Sequence, residues 1–252
     1  MKTIRSQKNR TIKTVQRVAR GKQKNLFLVE GRHLLSEALR TKWPLTTVLL
    51  RKDLFPAWRE SLQEQGLENK TQLLSPSLAS SLSTLVSTEG IIAVAEKRAQ
   101  PSPSAKPGDF FLYLDAVQDP TNVGILIRSA VAFGLNGVFA GTGSADPFRL
   151  KALYRSAGAA FHVPIWTSSC EDFLDWADRH GVLLVGGNAR GTPFNDVSKP
   201  MGPFALLMGN EGVGLSEALL ERCALRVAIP MTTGWDSLNV AAAGSLLMYG
   251  LK

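Results

Sequence analysis

Three short stretches hold the residues whose types and spacing could do chemistry. In "QDPTNVGILIRSAVAFG" (118–134), Asn122 and Arg128 sit in a helical pattern otherwise built of Ile125, Leu126, Ile127, Ala130, Val131 and Phe133. Asp119 or Thr121 can cap that helix, with Pro120 preset for its first turn. Arg128 is then either a solvated cation on a polar stripe or a ligand for an anion such as phosphate. Asn122 is either a cap or a group of the site. In "LLMGNEGVGLSE" (206–217), Gly209, Gly212 and Gly214 surround Glu211. Glycines there allow positive φ or close approach of backbone to a ligand, and the Glu211 carboxylate can hold backbone amides or a ligand. In "IPMTTGWDSLNVAAAG" (229–244), a strand end leads through a loop into a helix capped by Asp236 or Ser237. Asn239 remains as a polar group in that helix's first turn, ahead of small residues that permit close packing.

Other chemistries are poorly represented. No P-loop, nucleophile elbow or paired carboxylate motif occurs. "GTGSADP" (141–147) lacks the third glycine of a dinucleotide fingerprint and meets Pro147 before any helix can open. Two cysteines, Cys170 and Cys223, lie far apart, and three histidines show no zinc spacing. The expected metal count is none, and the cysteines read as reduced residues of a cytoplasmic protein.

The elements that must position these loops follow from the apolar pattern. After residue 109, "FFLYLDAV", "GVFAG", "HVPIW", "VLLVGG", "FALLMG" and "LRVAIPM" are short, continuous apolar runs separated by helical patterns. Continuous runs imply strands buried on both faces, hence a mostly parallel sheet clad by helices, with ligands at the carboxyl ends of the strands. Before it, "LFLVE", "TTVLLR" and "GIIAVAEK" read as strands, while "HLLSEALR" and "PSLASSLSTLV" read as helices. Ile12, Val15 and Val18 share a helical face. "EKRAQPSPSAKPGD" (96–109) reads as a linker. The expected organisation is a small basic α/β domain over 1–97, a linker over 98–109 and a larger domain over 110–252.

Charge separates the two parts. Residues 1–100 carry 18 Lys and Arg against 8 Asp and Glu, a net of +10; residues 101–252 carry 11 against 13, a net of −2; together they give the chain's +8. Nine of the bases fall in the first 24 residues without one acid. A one-sided field of this kind suits a polyanion, although a solvated basic helix has the same composition. The start is basic and acid-free, as a transit peptide is, but it runs without a break into patterned sequence. No apolar run reaches the roughly 18 residues of a membrane-spanning helix, so no membrane partner is expected.

Taken together and in order, "NVGILIRSAVAFG", "MGNEGVGLS" and "IPMTTGWDSLNVAAA" resemble the three motifs of the SpoU (TrmH) family of RNA 2′-O-ribose methyltransferases, within the SPOUT superfamily. "GSADPFRLKALYRSAGAAFHVPI" is similar to the family segment between the first two, and "NLFLVEGRHLLSEAL" to an RNA-substrate-binding domain often attached in front. The resemblance implies an α/β fold with a C-terminal trefoil knot, which explains an apolar, slim chain end. It implies S-adenosyl-L-methionine as cofactor, held by Gly209, Ile229 and Leu238 with Met208 and Met231 alongside. It implies Arg128, Asn122, Glu211, Ser237 and Asn239 as catalytic residues. The implied partners are RNA, 23S ribosomal RNA ahead of tRNA, and a second copy of the chain in a homodimer. A non-catalytic RNA-binding protein retaining the knot is the alternative. One departure from the family pattern stands out: the loop before "SLN" carries Trp235 and Asp236, and Trp235 could stack on a base or pack at an interface.

Overall fold

The computed structural model describes residues 3–83, 89–232 and 237–252, so Trp235 and Asp236 lie outside the described residues. The chain divides into two compact units: residues 1–99 with 148–153, and residues 100–147 with 154–252.

The first unit runs β1 (Thr3–Ile4), α1 (Arg10–Ala19), β2 (Leu26–Glu30), α2 (Arg32–Arg40), β3 (Leu45–Arg51), α3 (Phe55–Glu64), β4 (Thr71–Leu74), α4 (Pro76–Leu82) and β5 (Ile91–Glu96). The strands form one sheet in the order β1-β4-β3-β5-β2, antiparallel where β5 meets its neighbours β2 and β3 and parallel elsewhere. Three of these elements escape the sequence pattern. Strand β1 has two residues and β4 four, too few to show a period, and α3 buries only Trp58 and Leu62.

The second unit contains β6 (Phe110–Leu114), α5 (Pro120–Ala132), β7 (Gly137–Gly141), β8 (Ile165–Ser168), α7 (Cys170–Arg179), β9 (Leu183–Pro193), β10 (Phe204–Met208), α8 (Glu217–Arg222), β11 (Leu225–Ala228) and α9 (Val240–Leu251); a short helix α6 (Leu150–Arg155) falls at the boundary between the units. All six strands are parallel, in the order β11-β9-β10-β6-β7-β8. The expectation of a parallel sheet holds because β6, β7 and β10 are buried at every residue. Chain order runs outward from β6 in one direction and returns on its other side. The crevice of such a sheet opens where the order reverses, between β6 and β10. The loops after those two strands are the first and second candidate stretches.

Helix α9 buries Val240, Ala241, Gly244, Leu247, Met248 and Leu251. These recur at helical spacing and form one face. A Cβ at Gly244 would lie 2.3 Å from Leu126 Cδ2, so the bare glycine lets α9 press against α5. The apolar chain end is therefore a core element. Its cap differs from the expectation of Asp236 or Ser237. Asn239 is the N-cap, its Oδ1 accepting from the backbone N–H of Ala241 (2.9 Å) and Ala242 (3.3 Å). The helix starts later because Asn239 supplies the acceptor that the first free N–H groups need.

The segment expected as a linker is docked in part. The indole N–H of Trp166 donates to the Pro101 carbonyl (2.8 Å), and that of Trp176 donates to the Pro103 carbonyl (2.7 Å). Trp176 is 3% exposed, so losing its acceptor leaves a buried donor unpaired. A second-unit chain beginning at residue 110 is expected to be less stable than one beginning at residue 100 by about 1–3 kcal/mol. Thermal denaturation of the two checks this, and equal midpoints would refute it.

Candidate active site

The three candidate stretches meet through one hydrogen-bond chain. Asn239 Nδ2 donates to Asn122 Oδ1 (3.1 Å), and Asn122 Nδ2 donates to Glu211 Oε1 (2.8 Å). Glu211 also accepts long hydrogen bonds from the backbone N–H of Asp119 and Gln118, each 3.4 Å. Asn122 is 6% exposed, whereas Asn239 and Glu211 reach the surface. The chain thus begins at the N-terminus of α9, passes through the first turn of α5 and ends on a carboxylate in the loop after β10. Asp119 caps α5 by accepting from the Thr121 N–H (2.8 Å), one of the two caps the sequence allowed, which leaves Asn122 free to bridge.

Partial burial pushes Glu211 up, but the Asn122 amide and the backbone N–H groups around its carboxylate outweigh that, and its pKa lies below the ordinary carboxylate value. It is an anion held beside the N-terminus of α5, where the helix field also favours negative charge.

The loop that carries Glu211 is folded back on itself. Asn210 and Gly214 exchange backbone hydrogen bonds (3.0 and 2.9 Å), and a Cβ at Gly209 would lie 2.2 Å from the Gly214 carbonyl carbon. Gly209 is therefore required by the fold of this turn. Two further residues brace it, both absent from the sequence-level candidates. Asn210 Oδ1 accepts from the N–H groups of Gly212 and Val213, while its Nδ2 donates to the Ala116 carbonyl (2.9 Å). Asp115 Oδ2 accepts from the Ser216 N–H (2.7 Å), which ties the end of β6 to the start of α8. Ala116, between them, adopts φ 52°, a conformation L-residues seldom take. Asp115 and Asn210 directly follow or nearly follow strands, and their position after an apolar run was the available signal.

Arg128 lies off the seam between α5 and α9. That seam is made by Asn122, Leu126 and Ser129, and Ser129 Oγ pairs with Ser245 Oγ (2.7 Å). Arg128 is exposed and has no hydrogen bond or ion pair with a described residue. Ser237, Leu238 and Met231 are exposed, the last two at 43% and 37%, and Ile229 is half-buried. Met208 is 4% exposed, and its side chain packs beside Gly187 and Gly244. Any contact from Met208 to a ligand would come from its main chain. Among the described residues no His, Cys, Asp and Glu cluster could hold a metal ion.

The chain is similar to known proteins over its whole length. The model of the SpoU rRNA Methylase family matches residues 109–249, and that of the MRM3-like substrate binding domain matches residues 9–93. A Bacillus subtilis (strain 168) protein named 23S rRNA (guanosine(2553)-2′-O)-methyltransferase RlmP is 33% identical over 258 residues, covering 100% of both chains. An AdoMet-bound rRNA methyltransferase from Sinorhizobium meliloti superposes with a TM-score of 0.89 at 26% identity, covering 99% of this chain and 97% of that one. The SpoU methyltransferase AviRb from Streptomyces viridochromogenes, in complex with AdoMet, gives 0.85 at 27% identity, with 97% of each chain covered.

Two measurements test the hydrogen-bond chain. Asn239→Ala removes both the helix cap and the bridge and should cost about 1–2 kcal/mol, while Asn239→Ser keeps a cap and should recover part of it. Thermal melting of both reads this; a harmless Asn239→Ala would refute it. The second uses pH. A carboxylate whose pKa is depressed on folding stabilises the fold above its unfolded value and loses that effect as pH falls through its folded value. Wild type should therefore melt above Glu211→Gln at pH 7, with the gap closing below about pH 4; a gap that does not change with pH would overturn the assignment.

Proposed function

Because this chain belongs to the SpoU rRNA methylase family, we propose that it transfers a methyl group from S-adenosylmethionine to a ribose 2′-oxygen of 23S ribosomal RNA. The RNA class follows the name of the Bacillus subtilis relative, and the cofactor follows the two AdoMet-bound neighbours. The observation that carries the reading is the chain from Asn239 through Asn122 to Glu211. It joins three loops at the carboxyl end of a parallel sheet, beside the point where strand order reverses, and open α/β sheets bind their ligands there.

The residues present fit the cofactor. Leu238, Met231 and Ile229 leave apolar surface exposed after β11 and ahead of α9, of a kind that a bound aromatic base would cover. The missing side chain of Gly209 lets the loop after β10 close on Gly214, which fixes the main chain of that loop. Backbone groups of Gly209, Ile229 and Leu238 would hold the cofactor there, with Met208 contributing main chain alone. Bound S-adenosylmethionine supplies a methyl group already activated by its positive sulfur. The acceptor hydroxyl is a poor nucleophile, and the chain's own residues must help it. A guanidinium is a very poor base, since its pKa exceeds roughly 12. Arg128 instead would grip the phosphate next to the target ribose and stabilise the negative charge that grows on the 2′-oxygen as its proton passes to solvent water; the new O–C bond forms as the methyl–sulfur bond breaks, and S-adenosylhomocysteine is the leaving group. Asn122, Glu211, Asn239 and Ser237 keep the loops in register and orient the ribose.

The finer architecture belongs to the same reading. Helix α9 is packed by Leu126 of α5, by Met208 at the end of β10, and by Phe194 just after β9, which sits against Gly250. A chain end threaded as a trefoil knot, as membership of the family implies, would take such a buried position. Leu246 and Tyr249 of α9 are 45% and 70% exposed, and Tyr249 packs on Phe133, an apolar face suited to a homodimer. Cys170 and Cys223 are free, and burial pushes both thiols up, in keeping with a reducing cytoplasm.

Arg128→Ala should lower kcat by about 10²–10³-fold, the usual loss for one donor to a developing oxyanion. S-adenosylmethionine affinity, read by calorimetry, should stay near wild type. Full turnover in that variant would overturn the role of Arg128, and absent cofactor binding in the wild type would overturn the function.

A further inference from the structure

The helices of the front unit carry their charges in different ways. Helix α1 buries Ile12, Val15 and Val18 in a cluster with Leu78, Ala79 and Leu82 of α4 and with Leu28, Leu49, Leu74, Ile92 and Val94 of the sheet. That burial turns Arg10, Lys13, Arg17 and Arg20 outward, and all four are exposed. Their spacing of three, four and three residues puts them within about 80° of one another around the helix, in a row about 15 Å long. Like charges at these spacings destabilise a helix. The row is nonetheless left without an acid: none occurs in α1, its N-cap is the neutral Asn9, and the neighbouring α4 has no charged residue. None of the four side chains has an ion pair or hydrogen bond with a described residue.

The other two helices of the unit behave differently. Helices α2 and α3 contribute nothing to that cluster; α2 contacts β2 and β5, whose alternate residues Phe27, Val29, Ala93 and Ala95 are buried outside it. Their charged residues, Arg32, Glu37 and Arg40, then Arg59, Glu60 and Glu64, sum to zero, and Arg40 pairs with Glu37 at 2.7 Å. The outer face of α1 is a row of unneutralised cations, whereas the charges of α2 and α3 balance each other.

Resting on the function proposed above, we infer that the outer face of α1 is the track along which the RNA backbone lies, with phosphates seated against Arg10, Lys13, Arg17 and Arg20. Guanidinium groups suit phosphate in a bidentate manner. Contacts of this kind fix register and orientation and carry no base identity. The track therefore sets affinity and placement, and choice of nucleotide falls to other groups. A lipid surface is the poorer occupant. A helix lying on a bilayer inserts its apolar face, and here Ile12, Val15 and Val18 are already committed to the core.

The test uses the full chain with Arg10, Lys13, Arg17 and Arg20 all changed to Gln, exposed positions whose replacement leaves the core intact. Binding to a transcribed 23S rRNA fragment is followed against salt concentration. The slope of log K against log salt should shrink by about 3, at roughly 0.7–0.9 for each phosphate no longer neutralised. The apparent KM for RNA should rise at least tenfold, while kcat at saturating RNA and the affinity for S-adenosylmethionine hold. An Arg40→Gln, Arg59→Gln control should keep the wild-type slope, and Arg→Lys replacements along α1 should keep most of it. An unchanged slope and KM, an equal loss from the control, or a fall in kcat alone would overturn the inference. Co-sedimentation of wild type with phosphatidylserine vesicles, abolished in the Gln variant while the RNA slope is kept, would assign the row to lipid and also overturn it. The salt slope is read without methylation, so a failure of the proposed activity is seen separately, as missing cofactor binding or turnover.

Discussion

The carboxamide of Asn122 is the joint on which the site depends. It is buried, with its Nδ2 committed to Glu211 and its Oδ1 committed to Asn239. Neither end can be exchanged. Asn239 must present Nδ2 to Asn122 because its own Oδ1 is held by the N–H groups of Ala241 and Ala242. Turning the Asn122 amide over would set two N–H donors against each other at one end and two oxygens at the other. The direction of every bond is thus dictated by the start of α9, and the chain ends on the one group that only accepts, the carboxylate of Glu211. A buried amide robbed of one partner costs about 1–3 kcal/mol, so the three loops hold one another in place.

That joint works only because the sheet brings its members together. Asn122 follows β6 and Glu211 follows β10, strands that are neighbours in space while some 90 residues apart in sequence. Asn239 reaches them through α9, whose contact with α5 depends on the missing side chain of Gly244. The surrounding braces serve the same loops. Asp115 holds the amide of Ser216, Asn210 holds the carbonyl of Ala116, and Ala116 accepts a left-handed backbone between them. Strained backbone of this sort persists where its surroundings over-determine it. Arg128, by contrast, stands outside this network and faces solvent, where the proposed grip on a substrate phosphate would leave the fold undisturbed.

The two units solve different problems with the same α/β vocabulary. The second buries all of β6, β7 and β10 and brings Asn122, Glu211 and Asn239 together beyond the carboxyl ends of β6 and β10. The first mixes parallel and antiparallel strands and spends its polarity on an outer helix face. The proline-rich stretch ahead of β6 is part of the second unit, because two indole N–H groups have no other described acceptor than the carbonyls of Pro101 and Pro103.

Sequence alone determined the parallel sheet, the excess of positive charge in the first hundred residues and the three polar stretches, since each rests on local pattern or composition. Continuous apolar runs can be buried only between two layers, and a glycine-flanked Glu211 or an arginine in an apolar helix is conspicuous without coordinates. Tertiary structure decided what those residues do for one another. Asn239 looked like an extra polar group inside a helix and is its cap, because the choice between Asp236, Ser237 and Asn239 turns on which oxygen meets the free N–H groups. Asp115 and Asn210 were inconspicuous, since their partners are 101 and 94 residues away. The bases of the front unit became a single row only once Ile12, Val15 and Val18 were placed in the core. Local pattern fixes which face of an element is apolar; which elements meet, and which polar atoms then find each other, depends on contacts between residues far apart in the chain.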